Sequence, residues 1–483
     1  MSDLLRLSGR ELARRIRQGE VSATEVVERH IEQIERVNPR INALVRDRFE
    51  QARVEAKQAD ARVRSGDAAG LPPLLGVPCT IKESIALRGM PHSSGMVSRA
   101  GFTATEDATV VARVRAAGAI PLGVTNVSEL TVWAATFTRV YGRTHNAYDP
   151  GRIAGGSSGG EGAIVGAGGS PFGIGTDVGG SIRTPAFCNG VFGHKPSGGL
   201  VPGTGQFPRY AGRLLRFNTT GPLARRAEDL MPLLRILAGP DGHDEGCLPF
   251  PLGDPDRVDL ASLRVLVIED DGRRPRVARE LRHAQQRAAY ALARRGASVE
   301  PVSLPALAHS LAIVGAAIIE AGGTSLDETL GGGERTRLAR ETVRLALRRS
   351  PHSYPPLFML ALERLVRARP RWVRRQVERG AALRAQLDDL LGQDGVILYP
   401  SGRSVAPRHG PTAPFNFRFF AIFNVLELPA TQVPLGLSTE GLPLGVQVVA
   451  GRGRDHLTIA VALELERALG GWVPRNRAAG PAS

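Results

Sequence analysis

Three lysines stand against fifty-nine arginines in this chain, and one of them, Lys82, lies in Gly76-Val-Pro-Cys-Thr-Ile-Lys82-Glu-Ser, upstream of two serine–glycine clusters. An arginine stays charged at every working pH, whereas a buried lysine can lose its proton and act as a base. A chain that writes arginine almost everywhere else therefore points to amine chemistry at Lys82, while Lys57, on a polar helix, reads as a surface group. The clusters are Ala154-Gly-Gly-Ser157-Ser158-Gly-Gly-Glu161-Gly and Gly173-Ile-Gly-Thr176-Asp177-Val178-Gly179-Gly180-Ser181-Ile-Arg183. Glycine at this density costs backbone entropy on ordering, so a function must require it. A run such as Val178-Gly179-Gly180-Ser181 can turn several backbone N–H groups toward one point, as an oxyanion hole does, and leave the serine beside them as a nucleophile.

Three readings of these residues compete. Gly156-Ser157-Ser158-Gly159-Gly160 fits the G-x-S-x-G elbow with Ser158 as nucleophile, but that elbow follows a strand and Asn146-Ala-Tyr-Asp-Pro-Gly-Arg reads as a turn. A phosphate-cradling loop fails, because neither G-x-x-x-x-G-K-[ST] nor G-x-G-x-x-G occurs. The third pairs Lys82 as a base with two serines. No histidines stand at the spacing of a metal pair, and His92, His194 and His456 read as satisfied core or surface groups.

These residues need a scaffold. The first fifty residues read as two helices opened by Ser-x-x-Glu boxes, Ser8 with Glu11 and Ser22 with Glu25, and a third helix runs to about Arg64. From Leu71 onward, short apolar runs (Val77 to Ile81, Ile120 to Val124, Val265 to Ile268, Val396 to Tyr399, Val446 to Val449) alternate with helical stretches such as 107–117 and 276–295. Strand and helix in alternation predict an α/β protein with a large central sheet covered by helices on both faces. No linker-like break or internal repeat divides the 483 residues, so they read as a single domain, 1–483, with a loose tail over 473–483.

Composition narrows the function further. Hydrophobic residues at 42% with few aromatics fit a soluble enzyme, and the longest apolar run, Leu311 to Ile319, is half a membrane span. Cys79, Cys188 and Cys247 are odd in number without metal-type spacing, which predicts a reducing compartment; with no signal-peptide stretch at Met1, the expected location is cytoplasmic. The net charge of +15 does not predict nucleic-acid binding, because the arginines are interleaved with acids and no binding motif accompanies them.

The third reading resembles the amidase signature family. The passages that carry the resemblance are Leu75-Gly-Val-Pro with Lys82-Glu83, Asp107-Ala-Thr-Val-Val, Ala117-Gly-Ala-Ile-Pro-Leu-Gly-Val-Thr-Asn126, Gly155-Gly-Ser-Ser-Gly-Gly-Glu-Gly, Gly190-Val-Phe-Gly-His-Lys195-Pro-Ser and Gly441-Leu-Pro-Leu-Gly-Val-Gln447-Val-Val-Ala-Gly, spanning about 8–472. Within the family the chain resembles the fatty-acid amide hydrolases of type 2, which usually carry an N-terminal membrane helix; with Met1 standing at the first soluble helix, a bacterial-type soluble form is the expectation. The resemblance implies the amidase-signature fold and a catalytic triad of Ser181 as nucleophile, Ser157 as the cis-serine and Lys82 as base, with Glu83 pointing away from that lysine. It also implies an oxyanion hole of Val178, Gly179, Gly180 and Ser181, support from Ser158, Thr176, Asp177 and Arg183, a structural Lys195, and a substrate channel lined by Thr131 and Trp133. The implied activity is cleavage of hydrophobic acyl or aryl amides, with esters and carbamates as further substrates and no metal or organic cofactor. The rival is a tRNA-dependent amidotransferase of the A type, which works with partners on tRNA; such proteins show Ser-Ala-Ala where this chain has Glu161-Gly-Ala.

One segment stands apart. Residues 331–391 are helical and basic, an insertion suited to capping the substrate entry. Over 352–375, Phe358, Leu362, Leu365 and Val366 follow helical spacing while Arg364, Arg367, Arg369, Arg371, Arg374 and Arg375 crowd around Trp372. That composition suits a peripheral membrane surface, and the same stripe suits core packing or a homodimer contact.

Overall fold

The computed structural model describes residues 3–66, 70–274, 276–322, 325–410 and 417–475; residues 476–483, most of the expected tail, lie outside them. Ser8 and Ser22 cap their helices as their boxes predict. Ser8 Oγ accepts from Glu11 N–H at 2.9 Å at the head of Gly9–Arg17, and Ser22 Oγ accepts from Glu25 N–H at 3.0 Å at the head of Ala23–Ile41. The third helix, Phe49–Arg64, is preceded by a short strand that the sequence pattern does not separate.

The described strands are β1 (Leu44–Asp47), β2 (Pro78–Lys82), β3 (Ile120–Thr125), the small hairpin β4 (Phe137–Thr138) and β5 (Gly142–Arg143), β6 (Phe172–Asp177), β7 (Phe192–Lys195), β8 (Thr219–Ala224), β9 (Arg264–Val267), β10 (Ser298–Pro301), β11 (Gly395–Pro400), β12 (Ala430–Leu437) and β13 (Pro443–Ala450). All but the hairpin join one sheet of eleven strands, ordered β1-β3-β2-β6-β8-β7-β12-β13-β11-β9-β10. The sheet is mixed. Strands β3, β2 and β6 run parallel, as do β10, β9 and β11, and antiparallel pairs connect the two groups. Every residue of β2, β3, β6, β7, β8, β11 and β13 is buried, which requires both faces of the sheet to be covered.

This topology fixes where chemistry can occur. Parallel β2, β3 and β6 end at Lys82, Thr125 and Asp177, so their carboxyl ends open at one edge, where ligands bind in open α/β sheets. The 331–391 segment forms the helices Leu338–Ala346, Tyr354–Arg367 and Pro370–Leu391, the last packed on Ser310–Glu320. Among the described residues, no helix is long and apolar enough to cross a membrane.

Candidate active site

Lys82, the last residue of β2, is fully buried. Its Nζ donates to Ser157 Oγ and to Thr176 Oγ1, each at 2.7 Å. Burial pushes the ammonium down from its usual 10.5 to about 7, against the pull of Asp177, Glu161 and Glu83. Glu83, the next residue, is turned away: its carboxylate accepts from Ser93 N–H, Ser93 Oγ, Ser94 N–H and Tyr141 OH at 2.6–2.8 Å. A fully buried amine with hydroxyl neighbours and no directly bonded carboxylate is set up to exist uncharged near neutral pH.

Ser157 and Ser158 form the turn into the helix Gly159–Gly166, and the Gly156–Ser157 peptide is cis. Ser181 lies on the turn between β6 and the helix Arg183–Cys188. Ser158 N–H donates to Ser181 C=O at 3.2 Å and ties the two turns together. Ser181 is 4% exposed, and its Oγ has no hydrogen-bond partner among the described residues. Ser158 and Thr176 bond differently from each other: Ser158 Oγ donates to Thr176 C=O at 3.3 Å, whereas Thr176 Oγ1 faces Lys82.

Asp177 and Arg183 hold the glycine turn. The Asp177 carboxylate accepts from Gly180 N–H (2.6 Å), Ile182 N–H (3.1 Å) and Arg183 Nε and Nη2 (3.0 Å each). Burial would raise its pKa, but the Arg183 guanidinium outweighs this and holds it well below the carboxylate range. Arg183 in turn donates to Gln447 Oε1 at 2.9 Å and Asn424 Oδ1 at 2.6 Å, bringing in β13 and a residue of the helix Ile422–Val425. Gly180 has φ 110°, and a Cβ there would lie 2.5 Å from Phe420 Cβ, so only glycine fits. The four N–H groups expected to face the oxyanion differ in their partners. Gly180 N–H is committed to Asp177, whereas the N–H groups of Val178, Gly179 and Ser181 have no acceptor among the described residues.

The loop that carries Thr131 and Trp133 crosses over Ser157. Ser128 N–H donates to Ser157 C=O at 3.2 Å, and Ser128 Oγ donates to Trp133 C=O at 3.0 Å and Ala135 C=O at 2.9 Å. Leu130 and Thr131 both adopt left-handed φ, near 53° and 61°. The Trp133 ring is buried and meets Tyr354 and Phe358 edge to face at 5.5 and 6.0 Å, while Thr131 Oγ1 lies 3.3 Å from Tyr210 OH. Glu129, which sequence reading left without a role, anchors this loop: its carboxylate accepts from His352 Nδ1, Ser353 N–H and Ser353 Oγ at 2.6–2.9 Å. Lys195 is buried, donates to Pro196 C=O at 2.8 Å and is pushed down to about 7 by burial and Arg183.

Sequence reasoning also gave no structural role to Glu161, beyond using it to separate two kinds of relative. It lies fully buried on the first turn of Gly159–Gly166, accepting from Thr80 Oγ1 at 2.6 Å and Thr125 Oγ1 at 2.8 Å. Its charge at an apolar position was the available signal; its partners come from β2 and β3, far away in sequence.

The chain is similar to known proteins over nearly its whole length. The amidase family model matches residues 25–459. Fatty-acid amide hydrolase 2-B of Danio rerio is 45% identical over 487 aligned residues, covering 97% of this chain and 91% of that protein. The solved structure of 6-aminohexanoate cyclic dimer hydrolase is 27% identical, with a TM-score of 0.81 over 99% of each chain. More distant is a glutamyl-tRNA(Gln) amidotransferase component of Salinispora arenicola, 31% identical over 98% of this chain and 99% of that one. With this match over nearly its whole length, and a buried lysine, two serine turns and a glycine loop gathered at one sheet edge, the chain belongs to the amidase signature family and is a hydrolase that acts on amide bonds.

Proposed function

We propose that this protein cleaves amides of hydrophobic acyl or aryl groups to acid and amine through an acyl-enzyme on Ser181, with Ser157 and Lys82 as the proton relay. The observation that carries this reading is the 2.7 Å contact between Lys82 Nζ and Ser157 Oγ in a fully buried site beside the Ser181 turn. A serine hydroxyl attacks an amide only as its proton is drawn off. With Lys82 uncharged, the contact works in the opposite sense: Ser157 Oγ–H donates to Nζ while Ser157 receives the proton of Ser181. The N–H groups of Val178, Gly179 and Ser181 receive the oxyanion, each such donor contributing on the order of 3 kcal/mol. The leaving amine takes a proton back through Ser157, and water then releases the acid.

The hydrophobic substrate class rests on Trp133 and its aromatic neighbours, and on the similarity to a protein named fatty-acid amide hydrolase 2-B. Purified chain, with no partner protein, ATP or glutamine, is expected to hydrolyse long-chain fatty amides and anilides faster than short polar amides. Activity that appears only with partner proteins and ATP would instead establish the amidotransferase reading.

We read residues 1–483 as one domain in which the 331–391 helices cap the substrate entry and meet lipid. On Tyr354–Arg367, Phe358, Leu362 and Leu365 are 54%, 42% and 51% exposed, and only Val366 of the stripe is partly buried. Phe358 touches Trp133, so the exposed stripe continues inward to the loop over Ser157. Of the six arginines, Arg364 pairs with Asp327 and Arg367 with Glu363, while Arg369, Arg371, Arg374 and Arg375 are exposed without a carboxylate partner among the described residues. Each free arginine contributes about 1 kcal/mol near an anionic leaflet. The protein is expected to co-sediment with phosphatidylserine vesicles at low salt, less at high salt, and much less when Phe358 and Leu362 are serine. Absent binding, or binding that the double variant leaves unchanged, would overturn the lipid reading.

A further inference from the structure

Glu161 is one of the buried titratable groups that the relay above does not use. Thr80 and Lys82 lie two apart on one face of β2, and Thr125 pairs with Lys82 across to β3, so the two hydroxyls that hold the Glu161 carboxyl flank the lysine. The fold makes room for it: a Cβ at Gly173, on the neighbouring strand, would overlap Glu161 Oε2.

We propose that Glu161 is a positioning residue for amide hydrolysis, whose carboxylate, held beneath Lys82 by Thr80 and Thr125, supplies the counter-charge to the ammonium that forms there when Ser181 attacks. The proposal rests on Lys82 being the base. In that step the Ser181 Oγ–C bond forms, the carbonyl π pair moves to the oxyanion, the Ser181 proton passes to Ser157, and the Ser157 proton passes to Nζ. A positive charge is thereby created in a fully buried site, where an uncompensated ammonium is strongly disfavoured. Three carboxyls act on Lys82: Asp177, Glu161 and Glu83. Asp177 is already paired with Arg183, and Glu83 faces Ser93, Ser94 and Tyr141. Among the described residues, Glu161 has two neutral hydroxyls as hydrogen-bond partners, and besides Lys82 the titratable group that faces it is Cys79, whose thiol burial keeps protonated. It is the carboxyl whose charge is left for Lys82. Burial pushes it up to about 8, against the bonds from Thr80 and Thr125 and the charge of Lys82, so an ammonium at Lys82 favours the carboxylate at Glu161 and that carboxylate favours the ammonium.

The test is the pH dependence of kcat/KM and of fluorophosphonate labelling in the full chain. A carboxylate raises the pKa of a neighbouring amine, so Glu161→Gln is expected to move the acid limb to lower pH by about one unit and to lower kcat on the alkaline plateau about tenfold. A merely structural role would lower kcat without moving the limb. An unmoved limb, or one moved to higher pH, overturns the proposal. Thr80→Val, which removes one donor from the carboxylate, should shift the limb in the same direction by less; should Glu161→Gln fail to fold, an unmoved limb in folded Thr80→Val overturns it equally. A parent enzyme with no acid limb would bring down the Lys82 reading itself, an outcome distinct from a limb that is present but unmoved.

Discussion

Ser181→Ala is expected to abolish fluorophosphonate labelling and to lower amide hydrolysis by about 10⁶-fold, the scale on which removal of a serine nucleophile acts in other hydrolases. The reason lies in what surrounds each serine. Ser157 Oγ is bonded to Lys82, and Ser158 Oγ donates to Thr176 C=O at the base of the glycine turn, so both hydroxyls are engaged within the protein. Ser181 Oγ has no partner among the described residues and stands next to N–H groups that also lack one. Peptide mapping of the labelled parent decides the matter: a label on Ser158 would restore the G-x-S-x-G reading, and persistent labelling of Ser181→Ala would remove Ser181 from the mechanism.

Lys82→Arg puts a longer, permanently charged side chain in place of the base, and it is expected to lower kcat by on the order of 10⁴-fold. A guanidinium stays protonated at every pH that the protein tolerates, whereas the Lys82 amine becomes neutral above about 7. The sign follows from the direction of the shift. Burial lowers the folded-state pKa, so the active, neutral form predominates above about 7 and is lost as pH falls through it. Parent kcat/KM should therefore rise through that region to a plateau, and Lys82→Arg should show no such rise. Turnover in the arginine variant close to the parent's would refute the role of Lys82 as base.

Much of the scaffold is legible in residue order, for local reasons. Ser8 and Ser22 cap helices because a cap requires only a side chain and an N–H three residues on. The apolar runs at 77–81, 120–124, 265–268, 396–399 and 446–449 coincide with strands to within one residue, because strands buried on both faces favour near-continuous apolar runs. By contrast, β6, β7, β8 and β12 carry glycine, proline or polar residues in their interiors, and pairing with neighbours overrides those weak local preferences. The exposure of Phe358, Leu362 and Leu365 was equally hidden: helical spacing reports that a stripe exists, not what it faces.

At the site, the order of residues alone dictates the reagents: one lysine among arginines, serines set in glycine, and an acid and an arginine bracketing the second turn. Only the tertiary structure decided how those reagents are wired. It directed Gly180 N–H to Asp177, turned Glu83 toward Ser93 and Tyr141, gave Lys82 the Thr176 hydroxyl as a second partner, and buried Glu161 between Thr80 and Thr125. The physical reason is that side-chain type is a property of one residue, whereas desolvation and hydrogen-bond partnership belong to groups 36, 75, 81 and 94 positions apart that meet only when parallel β2, β3 and β6 bring their carboxyl ends to one edge.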